Sequence, residues 1–268
     1  MPESRVGRRP LRLLHDGTFS GFLAAVAWAT TSGVEVEGIE PEREASSSLF
    51  DETRPVPPDP EAARSIWNRI VDLCGADVSA VARAAFLSES PGIGTHLWHH
   101  LRRILSGEDP SRGRDILELH SLSVLRAAER TRHEAHRMLG FLRFSEAPDG
   151  SLFAVFAPDH DVLSLVAPHF RARLPGERWI IADARRGTCV EHAGGCLRWG
   201  RIDPARLPRD AAGASRLAAP GEEVWTGLWR SFHRAVSVRE RRNTRQQDRL
   251  LPRKYRRYLP ERPATSAT

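Results

Sequence analysis

The sequence predicts an α+β protein that is mainly helical, with a small antiparallel sheet in its middle third and a basic helical segment at its C-terminus. Apolar residues recur at intervals of three and four over most of the first 140 residues, the spacing of amphipathic helices. Between residues 141 and 202 the pattern changes to short apolar runs separated by glycine-containing turns, as in strands. From residue 221 an apolar stripe leads into an Arg-rich stretch.

These changes divide the chain into four parts that we expect to form one integrated domain. They are a mostly helical part over 1–140, a sheet with one helix over 141–202, a linker over 203–220, and an amphipathic helix with an Arg-rich tail over 221–268. A chain of 268 residues with 40% hydrophobic content can bury its own core.

The N-terminal part is predicted to begin with a strand. Leu11–Leu14 is an apolar run, and His15-Asp16-Gly17 ends it as a turn. Thr18 or Ser20 is the predicted N-cap of the next helix, because a hydroxyl oxygen accepts hydrogen bonds from the free N–H groups of a first turn. Acidic residues and prolines over 32–60 predict loops and extended segments. Helices are expected over 59–74, 77–87, 96–105 and 116–139, the first two starting at Asp59 and Asp77.

The sheet is predicted from its turns. Asp149-Gly150 separates two apolar runs and indicates a hairpin, and Gly194-Gly195 joins a later pair. Between these pairs, Pro158–Asp161 is expected to cap a helix that runs to Phe170. The expected strands are the runs at 141–144, 152–156, 179–182, 188–192 and 196–199.

The positive charge of the chain is concentrated near its C-terminus. Residues 230–258, hereafter the Arg-rich segment, contain eleven Arg or Lys and two acids, whereas the whole chain has a net charge of +6. Just upstream, an apolar stripe of a helix is expected to dock the segment on the body of the protein. The stripe consists of Val224, Trp225, Leu228, Trp229, Phe232, Ala235 and Val236.

Nucleic acid is the expected ligand of the Arg-rich segment. Arg and Lys neutralise phosphates, Asn and Gln reach phosphates or base edges, and Tyr stacks on unpaired bases. An acidic or phosphate-rich protein partner and a merely solvated face are the alternatives, and Tyr255 and Tyr258 would then pack against Trp225 or Trp229. The expected contact residues are Arg239, Arg241, Arg242, Asn243, Arg245, Gln247, Arg249, Arg253, Lys254, Tyr255, Arg256 and Arg257.

The sequence carries no motif of a known enzyme class. GxSxG, GxxxxGK[ST] and HExxH do not occur, and three cysteines without a CxxC pair do not predict a metal cluster. His96, His99 and His100 lie close in sequence but lack a third ligand at a fixed spacing, so they predict a helix surface rather than a metal site. We therefore expect neither a metal nor a cofactor. No membrane-spanning run or signal peptide pattern occurs, which predicts a cytoplasmic location.

Four residues are weak candidates for acid–base groups: His15, Asp16, Asp161 and Asp183. Each lies where a strand or turn meets a helix or loop, a common place for functional side chains. Turn formation and helix capping explain the same positions. No catalytic residue is therefore assigned, and the chain is not expected to be an enzyme.

Three separated groups of residues carry a resemblance to a known family. The first group is Asp16–Phe22, and the second runs from Pro158–Asp161 through His169-Phe170 to Arg173 and Trp179. The third group is Leu228-Trp229, Phe232, Arg241, Asn243, Gln247, Leu251-Pro252, Tyr255, Leu259-Pro260 and Glu261. On these residues, from about Leu14 to Glu261, the chain resembles the bacterial "probable DNA metabolism protein" family, the domain of unknown function 4130.

The resemblance implies partners in DNA metabolism. Relatives are encoded next to a radical SAM protein of DNA modification or repair, and some carry a uracil-DNA-glycosylase-like domain after this one. The chain continues only shortly past Glu261, so no glycosylase domain is expected here. His15 stands where relatives usually have Tyr, and Arg256 where an aromatic residue is common.

The sequence thus predicts an accessory nucleic-acid-binding protein of DNA metabolism, in repair or base modification. Its expected partners are DNA and a radical SAM enzyme or a uracil-DNA glycosylase. Two alternatives stay open at this point: a DNA-modifying or DNA-repair enzyme in its own right, and a protein–protein interaction module without DNA contact.

Overall fold

The computed structural model describes residues 11–45, 52–107, 118–208 and 251–261, with isolated positions between 210 and 231. The chain divides into two compact units, Met1–Arg132 and His133–Thr268, and the boundary falls inside a helix. Helices and strands in both units confirm the α+β fold class. The four-part division drawn from composition stays a prediction.

The N-terminal unit contains a three-stranded parallel sheet. Its strands are β1 (Leu11–His15), β2 (Val36–Pro41) and β3 (Glu52–Pro55), in the order β2-β1-β3. Helix α1 (Phe19–Thr31) connects β1 to β2, and Thr18 is its N-cap, as expected. The sequence predicts β1 but not its neighbours. β2 and β3 contain Glu and Pro, and all four residues of β3 are exposed, so their strand form depends on pairing with β1.

Three helices complete this unit: α2 (Pro60–Phe86), α3 (Ile93–Leu105) and the first part of α4 (Leu119–Phe141). Asp59 is the N-cap of α2, and its carboxylate accepts from the N–H groups of Glu61 and Ala62. Gly75, with φ of 76°, interrupts α2 and separates the two helices that the sequence predicts. Apolar side chains of the three helices and of α1 pack with the strands into one core.

Helix α3 lies directly against β2. The indole Nε1 of Trp98 donates to the Val36 carbonyl at 2.9 Å, and Trp98 is buried. Gly94 is the point of closest approach, because a Cβ there would overlap the carbonyl oxygen of Ile39. Gly92 and Gly94 therefore serve a tight turn and a close helix–strand contact.

The C-terminal unit contains a five-stranded sheet in the order β4-β5-β6-β7-β8. One pairing differs from the expected antiparallel arrangement: β5 and β6 are parallel, because α5 carries the chain back between them. The elements are β4 (Ser145–Glu146), β5 (Leu152–Phe156), α5 (Leu163–Arg173), β6 (Trp179–Asp183), β7 (Thr188–Ala193) and β8 (Cys196–Arg201). The Asp149-Gly150 and Gly194-Gly195 turns lie where the sequence predicts them.

The start of α5 differs from its prediction. Its N-cap is Val162, and no side chain caps it. Asp159 and Asp161 therefore do not cap this helix, and the loop that contains them forms the contacts described below.

Near the C-terminus the structure describes α6 (Arg253–Arg256) and a few positions of the preceding region. Val224 and Leu228 belong to the predicted docking stripe, yet they are 61% and 56% exposed. The expected docking does not hold at these two positions. The other stripe residues, Trp225, Trp229, Phe232, Ala235 and Val236, lie outside the described residues. Over the part of the chain that is described, no helix has the length and apolar content needed to cross a membrane.

Gly94→Ala tests the close approach of α3 to β2. The added Cβ forces the helix away from the strand, so the free energy of unfolding of the N-terminal unit should fall by about 1–3 kcal/mol. Gly140→Ala in α4 is the matched control: a Cβ there meets nothing within 4 Å, and alanine favours a helix over glycine by about 1 kcal/mol. Urea unfolding followed by circular dichroism measures both variants. Equal stability of Gly94→Ala and the wild type would contradict this packing.

Candidate nucleic-acid interface

The structure describes only the end of the predicted interface. Arg239, Arg241, Arg242, Asn243, Arg245, Gln247 and Arg249 lie outside the described residues, as does the side chain of Arg253. Lys254, Tyr255, Arg256 and Arg257 belong to the described residues 251–261, hereafter the C-terminal anchor, which contains α6. Their contacts show which of these side chains serve folding.

Tyr255 is a core residue of the C-terminal unit. It is 2% exposed, lies 5.8 Å from Phe141 between ring centroids, and donates its hydroxyl hydrogen bond to the Glu134 carboxylate. Burial, together with this carboxylate, raises the pKa of Tyr255 far above its usual value. The expected role of Tyr255 in stacking on a base does not fit this buried position. The ring packs inside the protein, which was the alternative prediction. Its partner is Phe141 rather than Trp225 or Trp229.

Glu134 in α4 is a buried carboxylate that joins three parts of this unit. Its two oxygens accept from the backbone N–H groups of Asp159 at 2.8 Å and His160 at 2.7 Å, and one of them also accepts from Tyr255. The residue is 1% exposed. A buried charge is tolerated only with such donors, so Glu134 fixes both the loop after β5 and the C-terminal anchor to α4.

Lys254 and Arg185 converge on Asp159. The Lys254 ammonium binds the Asp159 carboxylate directly, and Arg185 Nη1 lies 3.1 Å from the carbonyl oxygen and 3.4 Å from the carboxylate of the same residue. Burial alone would raise the pKa of Asp159, but Lys254 and then Arg185 outweigh it, so the pKa lies below its usual value. The charge of Lys254 is therefore largely neutralised within the protein.

Asp183 and Arg186 form a second, more deeply buried pair at the end of β6. Asp183 is fully buried, accepts from Arg186 Nη1 at 2.8 Å, and also accepts from the backbone N–H of Arg185. Arg186 donates in addition to the carbonyl oxygens of Pro158 and Asp159. Burial raises the pKa of Asp183, and Arg186 opposes this rise. Arg186 thus ties the loops after the parallel strands β5 and β6 together.

The C-terminal anchor is held by a further ion pair. Arg143 Nη2 lies 2.7 Å from Glu261 Oε1, and the Glu261 side chain is only 5% exposed. Upstream of the Arg-rich segment, the backbone N–H of Ala219 donates to the Glu146 carbonyl at 2.7 Å. Ala219 and the C-terminal anchor, which flank residues 220–250, are therefore both bound to other residues of the C-terminal unit.

Arg256 and Arg257 differ in their availability. Arg256 is half-buried and donates to the Leu251 carbonyl at 3.2 Å, which holds the turn before α6. Arg257 is exposed and lies 4.9 Å above the ring centroid of Tyr258. Four of the residues predicted to bind nucleic acid have described side chains. Among these, the charge of Arg257 faces solvent, and no described contact pairs it with a carboxylate.

The four residues considered for acid–base chemistry lie in different units. Asp183 is the last residue of β6, and Asp161 lies in the loop between β5 and α5. The carboxyl ends of parallel strands are places where α/β proteins often bind ligands. His15 and Asp16 follow β1 in the N-terminal unit. Asp183 is engaged by Arg186, and Asp16 accepts from the N–H and hydroxyl of Thr18 as a turn former does.

His15 is unsuited to act as a base. Its Nδ1 accepts from the Gly17 N–H at 3.1 Å, so Nε2 carries the proton of the neutral ring. The ring is 1% exposed and lies against Phe22 and Phe86. Burial lowers the pKa of His15 to about 4.

The histidines of α3 contact α4 and β2. His96 Nδ1 lies 3.0 Å from His120 Nδ1, His99 Nε2 lies 2.9 Å from the Glu37 carbonyl, and His100 is buried against Ser121. Among the described residues, no group of three His, Cys, Asp or Glu side chains could hold a metal ion. Burial lowers the pKa of all four histidines, and that of His100 falls to about 4.

The residues that sequence reasoning missed are Glu134, Arg143 and Arg186. Glu134 gave one signal: it lies on the same face of α4 as Thr131 and Met138, both of them buried. A charged residue on an apolar stripe indicates a buried, partnered charge. Arg143 gave no comparable signal, because its partner Glu261 is distant in sequence. Arg186 follows its partner Asp183 by only three residues, but its donation to the carbonyl oxygens of Pro158 and Asp159 joins parts that are distant in sequence.

Comparison with known proteins gives one match. Residues 91–261, well over half of the chain, match the sequence profile of a domain of unknown function, DUF4130. No curated protein and no solved structure matches the chain significantly.

Tyr255→Phe tests whether the Glu134 carboxylate holds the C-terminal anchor. The change keeps the ring and removes one donor to a buried charge, so the C-terminal unit should lose about 1–3 kcal/mol of unfolding free energy. Limited proteolysis should cut within residues 251–261 more rapidly. Tyr258→Phe is the matched control, since that ring is half-buried against Arg257, and it should change stability by about 0.5 kcal/mol or less. If the two variants behave alike, Glu134 does not hold the anchor through Tyr255.

Acid should destabilise the N-terminal unit through His15 and His100. Their pKa is about 4 in the folded chain, against about 6.5 in the unfolded chain. The unfolded chain therefore binds more protons between these values, and the free energy of unfolding falls as pH drops from 6.5 to 4, by up to roughly 3 kcal/mol per histidine.

His100→Gln isolates one of these two contributions. In urea unfolding between neutral and acidic pH, the variant should lose less stability than the wild type, by up to roughly 3 kcal/mol. The comparison concerns the pH dependence alone, so a general loss of stability does not obscure it. A pH dependence equal to that of the wild type would show that His100 is not buried as a neutral ring.

Proposed function

Because the chain belongs to the family of domain of unknown function 4130, we propose that it is an accessory nucleic-acid-binding protein of DNA metabolism, in repair or base modification. One observation carries the proposal. The Arg-rich segment has eleven Arg or Lys against two acids, a surplus of nine, on a chain of net charge +6. Such a concentration of charge favours a polyanion, because each phosphate contact releases counterions.

The two anchored ends of the segment support this proposal. Ala219 is bound to Glu146, and the C-terminal anchor is bound through Tyr255 and Glu261. A segment closed at both ends has fewer conformations than a free tail, so it loses less entropy when it binds a ligand. The ion pairs of Lys254 and the position of Arg256 restrict the proposed phosphate contacts to Arg257 and the arginines from Arg239 to Arg253.

In this proposal the chemistry belongs to a partner enzyme. Asp183 and Asp16 have structural contacts, and His15 is buried as a neutral ring. The partner is a radical SAM enzyme of DNA repair or a uracil-DNA-glycosylase-like protein, the two associations that the family resemblance implies. Co-purification that survives nuclease treatment would indicate a direct protein contact rather than bridging by DNA.

Fluorescence anisotropy with labelled DNA tests the proposal. Wild-type protein should bind, and its affinity should fall steeply between about 50 and about 200 mM salt. Replacing Arg239, Arg241, Arg242, Arg245 and Arg249 together by Gln should weaken binding at least about a hundredfold and lower the slope of log K against log salt by about 4. No binding by the wild type, or binding that salt does not weaken, would overturn the proposal.

A variant with the same change of charge elsewhere is the control. Arg64, Arg83, Arg126, Arg130 and Arg132 are exposed arginines of the N-terminal unit. Their combined replacement by Gln should leave most of the affinity and the salt slope in place. A larger loss in this control than in the segment variant would move the interface to the N-terminal unit.

A further inference from the structure

Strand β8 carries an aromatic ring that the folded chain leaves exposed. Of the described Trp, Tyr and Phe side chains, only that of Trp199 is more than half exposed, at 56%. Other aromatic side chains of the C-terminal unit, such as those of Trp179 and Phe170, pack into its core. β8 is the last strand of its sheet, and no described strand pairs with its outer side.

The register of the sheet places Trp199 beside a cation. Trp199 pairs with Val190 and Arg201 pairs with Thr188 on β7, so Trp199 and Arg201 lie on one face of the sheet, two residues apart. Arg198 pairs with Glu191 and lies on the opposite face. Five of the six residues of β8 are exposed, and the strand contains no acid.

We propose that the Trp199 and Arg201 face of β8 binds single-stranded nucleic acid, with the indole stacked on an unpaired base and the guanidinium on a phosphate. This inference rests on the proposed function and deepens it by naming the form of the ligand. A flat ring stacks on a base only when the base is not already stacked between its neighbours in a duplex. The positive charge of β8 is complementary to a phosphate backbone.

A protein partner would use this strand differently. A protein would add a strand to the outer side of β8 through backbone hydrogen bonds. A substitution of Trp199 would then weaken binding less than the loss of those backbone hydrogen bonds would. An exposed ring next to a guanidinium is instead the pair that single-strand-binding surfaces combine. Single-stranded nucleic acid is therefore the occupant that we assign.

Three variants of the full chain test the inference, with a labelled single-stranded oligonucleotide and the duplex of the same sequence as probes. Trp199→Leu removes the ring, Trp199→Phe keeps one, and Arg201→Gln removes the charge. Trp199→Leu should weaken single-strand binding about tenfold, and Trp199→Phe should retain most of the affinity. Duplex affinity should not change in either. Arg201→Gln should lower the single-strand salt slope by about 0.7.

The outcomes separate this inference from the function on which it rests. If the wild type binds neither probe, both fail. If the wild type binds but Trp199→Leu binds the single strand as tightly as the wild type, the inference is overturned and the proposed function stands. Arg198→Gln, on the opposite face, is the control, and a loss equal to that of Arg201→Gln would also overturn the inference. Circular dichroism checks that each variant is folded. If Trp199→Leu does not fold, Trp199→Phe is compared with the wild type instead.

Discussion

The C-terminal unit depends on one buried carboxylate. Glu134 is 1% exposed, and its charge is stabilised by two backbone N–H groups of the loop after β5 and by the hydroxyl of Tyr255. The Lys254 ammonium also lies 3.9 Å from the Glu134 carboxylate. The loss of any one donor would leave this buried charge without full compensation, which costs more than an ordinary surface ion pair contributes. Helix α4, the loop before α5 and the C-terminal anchor therefore hold their positions together. Together with the Arg143–Glu261 and Lys254–Asp159 ion pairs, this carboxylate holds the C-terminal anchor in place.

The basic residues near the C-terminus fall into two kinds. Lys254 is paired with Asp159, and Arg256 holds a turn through the Leu251 carbonyl, so both contribute to the fold. Arg186 and Arg143, outside the Arg-rich segment, are similarly engaged with Asp183 and Glu261. A count of charges along the sequence does not distinguish these two kinds. The contacts do, and the proposed binding charges are therefore Arg257 and the arginines from Arg239 to Arg253.

Local signals predicted much of the fold, and contacts between distant residues account for the rest. Asp59 and Thr18 cap the helices they were expected to cap, and Asp149-Gly150 turns a hairpin, because each signal acts within four residues. β2 and β3 were not predicted, because they form strands through pairing with β1 rather than through a local sequence signal. The parallel pairing of β5 and β6 likewise follows from α5 between them. At the candidate site, the sequence singled out Lys254 and Tyr255 as ligand-binding residues. It did not show that Tyr255 belongs to the core, because its partner, Glu134, is more than a hundred residues away.

The Arg-rich segment, anchored to the C-terminal unit, is the surface that we propose to bind nucleic acid. Amide hydrogen exchange, measured peptide by peptide with and without DNA, tests this proposal most directly because it locates the contact without a mutation. DNA should slow exchange in peptides from residues 230–250, while peptides of the buried anchor around Tyr255 and of the N-terminal unit should change little. Slower exchange confined to the N-terminal unit, with the Arg-rich segment unchanged, would contradict it.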